Sequence, residues 1–374
     1  MLLLHAQWLL RAEVAAAVSP QLNVTVDATR STHSLRPQHL GCHLDSGYGQ
    51  ELRALSAQML ISPSFELGPP VDRSASGPDA RPYGVGWLPS NGVVFGAMGS
   101  GIAGGARLSL APGSSVSNRG LGMEGLFLQA DAHYEGYVVV RKSEQSGLLR
   151  IALEDFRRNA TLAVAIIRLP SSVVLREAYQ WAQLNYSFMA SGSTGCEPAR
   201  PYEDGVGPTC YLAGHSYEPG QTCVRCPGQL TITNLGAQPI DLGYVRLQPG
   251  PAQRYAGLPI LKSGVELLRR MGTRLLRVGG TFAVALPQPA GSIAAYDWRN
   301  FIHANRPWLR PPFTWGGHVS HDHPHGVYNQ VDIGPFELLD LASASGIDVV
   351  YTTAANCYNT TAANRSCATR LPVY

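Results

Sequence analysis

Charged side chains are scarce in this sequence: Asp, Glu, Lys and Arg make up 15% of its 374 residues, against roughly 25% in an average soluble protein. The formal net charge is only +3, and no Lys/Arg cluster with interleaved aromatics occurs, which argues against a nucleic-acid reader. No apolar run reaches the roughly 18 residues that a membrane span requires, so none is expected. There is no internal repeat and no heptad, which removes solenoids and coiled coils. What is plentiful is Gly and Pro, at 40 and 27 residues. That balance predicts a loop-rich, partly all-β protein with a neutral polar partner, in a chain long enough for two domains.

The seven cysteines are unevenly placed. Cys196, Cys210, Cys223 and Cys226 sit in a Gly/Pro/Tyr-rich stretch, 192–228, that has no strand or helix periodicity; Cys357 and Cys367 flank a similar polar segment. In an oxidising compartment such cysteines staple loops. The alternative is zinc, because Cys223-Val-Arg-Cys226 has ligand spacing, although no second Cys-x-x-Cys pair exists. N-x-S/T acceptors at Asn23, Asn159, Asn185, Asn359 and Asn364 favour the secretory route and are candidate glycosylation sites. Residues 1–20 read as a weak signal peptide or a truncated leader: Ala15-Ala16-Ala17 resembles a cleavage site, but Arg11 and Glu13 interrupt the apolar region.

Along the chain, residues 21–61 predict a strand at Leu22–Val26, another at His39–Asp45, and a helix with Leu52, Leu55 and Met59 on one face. From 62 to 250 short alternating runs separated by turn residues predict an antiparallel sandwich. They include Arg107–Ala111, Tyr137–Arg141, Leu149–Leu153, Leu162–Ile167, Leu230–Thr233 and Leu242–Arg246. From 251 to 374 the pattern turns to α/β. Ser263-Gly-Val-Glu266 has capping-box spacing, Val265, Leu268 and Met271 share a helical face, and Gly272 supplies the stop. Leu275–Val278 is a buried parallel strand. Pro335 opens a second helix, Gly346 closes it, and Ile347–Tyr351 is the next strand.

The order of these segments resembles family 51 glycoside hydrolases, the α-L-arabinofuranosidases, most closely plant-type members with an inserted carbohydrate-binding-like sandwich. The resemblance rests on Gly41-Cys-His-Leu-Asp45 through Ser64-Phe65-Glu66, on Ser117-Asn-Arg-Gly-Leu-Gly122, and on Asp241–Leu247. It continues in Leu275-Leu-Arg-Val-Gly-Gly280, Asp297-Trp-Arg-Asn300, Arg306-Pro307, Gly334–Leu339 and Gly346-Ile-Asp-Val349. It implies an α/β plus all-β fold: a partial (β/α)8 TIM barrel of about three strands, interrupted by an antiparallel, jelly-roll-like β-sandwich. It also implies an extracellular or cell-wall location, no cofactor, and arabinose-containing polysaccharides or glycoproteins as partners.

In such barrels the residues just past the strand ends carry function. The substrate-binding candidates are therefore Asp45, Gly280, Thr281, Trp298 and Asn356. Asp45 stands where the family has Glu, and Thr281 where it has Cys or Asn. Trp298, with Trp308 and Trp315, offers an indole face for sugar stacking, although loop tryptophans also serve to pack a loop onto its scaffold. A retaining mechanism needs two carboxyls about 5 Å apart. After Glu266 the one glutamate is Glu337, on a helix, so no catalytic residue is assigned. The chain is expected to be the N-terminal portion of such an enzyme, with a non-catalytic carbohydrate-binding protein as the alternative. A third reading, a metal-dependent hydrolase, rests on His318, His321, His323 and His325, whose spacing can hold zinc or copper; the plain alternative is a solvated loop.

Overall fold

The computed structural model describes residues 41–44, 55–65, 87–97, 99–120, 125–141, 147–169, 181–199, 223–278, 313–314, 328–329 and 333–351, all within the unit Gln38–Tyr374. Antiparallel β-sheet dominates, because the short runs alternate apolar and polar residues and can bury one face each. Sheet I has the order β2 (Leu88–Pro89), β5 (Ser115–Asn118), β12 (Gly228–Asn234), β7 (Leu148–Asp155) and β8 (Ala160–Arg168). Sheet II has the order β3 (Val93–Phe95), β4 (Leu108–Leu110), β13 (Ile240–Pro249), β6 (His133–Arg141) and β9 (Trp181–Met189).

The two sheets enclose one core. Val116, Leu149, Ile151, Leu153, Leu230 and Ile232 of sheet I join Leu108, Val138, Val140, Leu242, Val245 and Leu247 of sheet II in a single buried cluster. Each such side chain contributes about 1.5–3 kcal/mol. The six strands expected from the sequence are all present, several of them longer. β9 was not among them, although Ala182, Leu184, Tyr186 and Phe188 alternate through it and pair with β6. β10 (Glu197–Ala199) and β11 (Cys223–Arg225) form a small hairpin-like pair within the Cys-rich stretch, next to a disulfide between Cys196 and Cys226. That bond removes Cys226 as a zinc ligand and corrects the Cys223-Val-Arg-Cys226 alternative.

Tyr186 is buried in this core and its hydroxyl donates to the Arg246 carbonyl. Burial first, and neighbouring Tyr137 second, hold its pKa far above the ordinary value. An unfolded tyrosine ionises near pH 10 while the folded one keeps its proton, so the contribution of Tyr186 to stability is fully present below about pH 10 and is lost above it. Thermal melts between about pH 9 and pH 11 should show a decline in Tm that is smaller in Tyr186→Phe.

A second assembly is parallel. β1 (Gly41–Leu44), β14 (Leu275–Val278) and β17 (Asp348–Tyr351) lie in that order, with helices α1 (Lys262–Arg270) and α2 (Pro335–Ser345) preceding the last two. Val265, Leu268, Leu338 and Leu341 of the helices pack on Leu276, Val278, Ile333 and Ile347. Pro335 occupies the first turn of α2 and Gly346, at φ 68°, ends it. Glu337 is buried on that helix, its carboxylate accepting the Gly334 amide at 2.8 Å.

Three local expectations need correction. α1 begins two residues earlier than predicted, with Leu261 rather than Ser263 as its N-cap and no side-chain cap. Ser263 is therefore inside the first turn, and Glu266 lies 4.0 Å from Lys262 instead of closing a box. Met271 follows the end of α1 and is exposed, so the buried face stops at Leu268. Residues 56–60 are not helical: the Met59 amide donates to the Leu247 carbonyl at 2.8 Å, extending sheet II.

This extended segment joins the two assemblies. The amide of Val245 donates to the Pro63 carbonyl at 2.8 Å. The Gln58 side-chain amide brackets β13, donating to Val245 O at 3.1 Å and accepting from Leu247 N at 3.0 Å. The outgoing and returning chains are tied by Ala57 N to Pro259 O at 2.9 Å and Leu261 N to Leu55 O at 2.8 Å. β15 (Phe313–Thr314) and β16 (Tyr328–Asn329) form a further short pair.

Candidate functional site

The register of the parallel sheet places Leu44, Val278 and Tyr351 level at the C-terminal strand ends. In sequence the next residues are Asp45, Gly279 and Thr352. Asp45, Gly280, Thr281, Trp298 and Asn356 themselves lie outside the described residues. So do His318, His321, His323 and His325, between β15 and β16 in sequence, and Asn23, Asn359 and Asn364. Among the described residues, no group of three or more His, Cys, Asp or Glu is placed to hold a metal. Asn159 and Asn185 are described, and both are exposed.

A built polar surface does lie within the described residues, on the outward face of sheet I. Alternation sends Leu149, Ile151 and Leu153 into the core and leaves Arg150 and Glu154 outside. In β12 it sends Leu230 and Ile232 into the core and turns Gln229, Thr231 and Thr233 to the opposite face, where Thr231 is buried beneath its neighbours. The register sets Gln229 opposite Glu154 and Thr231 opposite Ala152, while β5 brings Ser117 opposite Thr231. Side chains from four strands then make one continuous ladder. Ser117 Oγ and Thr231 Oγ1 are 3.0 Å apart, and the Thr231 hydroxyl donates to Glu154 Oε2 at 2.6 Å. Gln229 Nε2 reaches Thr231 Oγ1 at 3.2 Å and Glu154 Oε2 at 3.3 Å. The other Glu154 oxygen accepts from Arg150 Nη1 at 2.9 Å, and Arg150 Nη2 donates to Thr161 Oγ1 at 3.1 Å.

At one end of the ladder, Arg119 Nε donates to Gln229 Oε1 at 3.2 Å while its guanidinium lies 3.8 Å from the Phe156 ring centre. Burial lowers the Arg119 pKa from its ordinary value. Its position is set by Asn118, whose buried side chain accepts from the Gly120 amide at 2.9 Å and exchanges hydrogen bonds with the Ile61 backbone. Two guanidinium groups and one carboxylate, flanked by hydroxyls and an amide, present both donors and acceptors with little net charge. Such a surface suits a neutral, hydroxyl-bearing ligand better than an ion. None of Arg150, Glu154, Gln229 or Thr231 was singled out from the sequence. The available signal was the polar alternation of Gln229-Leu-Thr-Ile-Thr233.

Comparison with solved structures places this fold beside an arabinose-bound α-L-arabinofuranosidase, MgGH51, at a TM-score of 0.59 and 16% identity over 86% of this chain. The chain spans 45% of the length of that enzyme. Looser matches include the C-terminal CBM6 of LamC from Zobellia galactanivorans, with TM-score 0.26 and 13% identity over 43% of this chain and 92% of that one. Another is the CBM22-1 xylan-binding domain of Xyn10C from Paenibacillus barcinonensis, with TM-score 0.26 and 13% identity over 52% of this chain and 96% of that one. No family model and no curated protein matches the sequence. Among the described residues no helix is long and apolar enough to cross a membrane. At 16% identity the likeness to the arabinofuranosidase is one of fold, with the sandwich and the three-stranded parallel sheet held in one chain.

Proposed function

We propose that this chain is an arabinofuranosidase-like carbohydrate-binding protein of the secretory route. Its parallel unit is part of a (β/α)8 barrel, and its sandwich engages arabinose-bearing polysaccharides or glycoproteins. The observation that carries this is the fold likeness over 86% of the chain, more than the sandwich strands from Leu88 to Pro249 can account for alone. In the complete protein the activity would be retaining removal of terminal α-L-arabinofuranosyl groups, with Asp45, Gly280, Thr281, Trp298 and Asn356 lining the pocket. No residue of this chain is assigned a catalytic role, and binding by the sandwich is the activity proposed for it.

The purified chain should be retarded in gels containing arabinan or arabinoxylan, and should release no arabinose from them. Equal mobility in all polysaccharides would overturn the binding assignment, and arabinose release would overturn the assignment of no catalysis. The polar ladder of sheet I is the surface proposed to meet the sugar, with Glu154 accepting from ring hydroxyls. Glu154→Ala removes a charged acceptor worth about 1.5–3 kcal/mol. Binding should therefore weaken roughly ten- to a hundredfold with the far-ultraviolet circular dichroism spectrum unchanged. Unaltered binding would move the site off this face.

A further inference from the structure

One side of the sandwich is closed by two nine-residue strands, β8 ending sheet I and β9 ending sheet II, which lie against each other. Among the described residues neither pairs with another strand on its outer side, although the Leu162 carbonyl of β8 accepts from the Ser191 amide at 2.8 Å. An edge of this kind offers unpaired amides and carbonyls to any passing strand, and proteins blunt it with lysines, prolines or irregular geometry. Little of that is present here. β8 carries one charge, at its last residue Arg168, and β9 carries none; neither contains proline. The outward face of β8 is apolar as well, with Val164 52% and Ile166 55% exposed, and Met189 at the end of β9 is 62% exposed. Long, uncharged, apolar edges pair with copies of themselves.

Each strand nevertheless carries an N-x-S/T acceptor. Asn159-Ala-Thr161 sits where β7 turns into β8. Asn159 is exposed there, at φ 51°, a left-handed conformation that asparagine tolerates. Asn185-Tyr-Ser187 lies in the middle of β9. Tyr186 points into the core, and Asn185 and Ser187 point out. Gln183 Nε2 donates to Asn185 Oδ1 at 2.9 Å, a contact that engages the oxygen and not Nδ2, the atom a glycan takes.

We infer that N-linked oligosaccharides on Asn159 and Asn185 cover the β8–β9 side and keep the sandwich from pairing edge to edge with a second copy. The inference rests on the secretory-route reading. In the modification, Nδ2 bonds to the anomeric carbon of a lipid-pyrophosphate-linked oligosaccharide. The carbon–oxygen bond to pyrophosphate breaks, the lipid pyrophosphate leaves with the electron pair, and one amide proton is released. The glycan on Asn185 projects from sheet II, away from the ladder, while the one on Asn159 stands on the β7–β8 turn, two residues before Thr161 at the ladder's end.

The test is secretion of the full chain from a eukaryotic host, with glycopeptide mapping and light scattering on a sizing column. Both asparagines should carry glycan, and the protein should be monomeric. The Asn159→Gln/Asn185→Gln double variant, and wild type stripped by a peptide N-glycosidase under native conditions, should shift to dimers and larger species. Val164→Lys, which places a charge on the bare edge, should return the double variant to monomer. If the double variant is not secreted, the stripped wild type decides. Glycan at Asn23, Asn359 or Asn364 but not at Asn159 and Asn185 overturns this inference while leaving the secretory reading intact. Absence of glycan at all five acceptors overturns the secretory reading itself. Stripped protein that stays monomeric also overturns the shielding role.

Discussion

Alanine at Gly125 is expected to destabilise the sandwich by more than about 3 kcal/mol, among the larger effects of a single substitution. Gly125 has φ 92°, a region that side chains avoid. A Cβ built on it would stand 1.4 Å from the Cys226 carbonyl oxygen and 2.6 Å from its carbon. Backbone cannot move aside as a flexible side chain can, particularly here. The Leu126 amide donates to the Gly228 carbonyl at 2.7 Å, Cys226 is held by its disulfide to Cys196, and Gly228 in turn has no room for a Cβ against Leu126. The loss should lower Tm by roughly 6–12 °C for a domain of this size. Gly113→Ala is the control: φ is 74° but nothing lies within 4 Å of the added carbon, so only the conformational cost of about 1–2 kcal/mol applies. Equal losses in both variants would show that the close approach to Cys226 is not the cause. Because the Gly125 amide donates to the Arg119 carbonyl at 2.9 Å, the first variant should also disturb the Arg119 end of the polar ladder, and polysaccharide retardation should fall with it.

Local backbone rules made much of the parallel unit legible in the sequence. Pro335 and Gly346 can each serve only a narrow set of conformations, and a four-residue apolar run such as Leu275–Val278 has few ways to be buried. The capping-box pattern at Ser263 misled because it is satisfied on paper by any Ser-x-x-Glu. Only the bridge between Ser56 and Ile260 and the Leu261-to-Leu55 bond fix where the chain enters α1. Strand periodicity likewise located the core of the sandwich but not its candidate site. Glu154 and Thr231 are 77 residues apart, and it is the β7–β12 register that makes them one ladder. An outward glutamate on a strand has the same periodicity whether it faces water or a ligand. The pocket candidates Asp45, Gly280, Thr281, Trp298 and Asn356 came from resemblance, since no short-range rule distinguishes a strand-end residue that binds from one that merely turns the chain. The same limit hid β9, where an acceptor motif and a strand occupy the same residues.

Trp87→Ala should cost about 3–5 kcal/mol, the range for a large aromatic removed from a core, and should also alter how the two assemblies unfold. Trp87 is fully buried. Its indole Nε1 donates to the Ser62 carbonyl at 2.8 Å, and its ring sits 5.2 Å from that of Phe65. Ser62 and Phe65 both have positive φ, at 52° and 60°, conformations costing of order 1–3 kcal/mol each that persist only where the surroundings enforce them. The Trp87 ring and its hydrogen bond are a large part of that enforcement. The same segment carries Gln58, Met59 and Pro63, whose bonds to β13 connect the sandwich to the parallel sheet. Removing the indole should therefore relax Ser62 and Phe65, free the segment from sheet II, and separate one cooperative transition into two. Trp87→Phe separates the contributions: it keeps most of the apolar contact with Phe65 but removes one of the donors to the Ser62 carbonyl, which still accepts from the Phe65 amide at 2.9 Å, a loss of about 0.5–1.5 kcal/mol. Calorimetry of the two variants distinguishes the outcomes. A single transition in Trp87→Ala, shifted down but undivided, would mean that the segment 55–65 is held to the sandwich by its β13 hydrogen bonds alone and that the tryptophan only fills space.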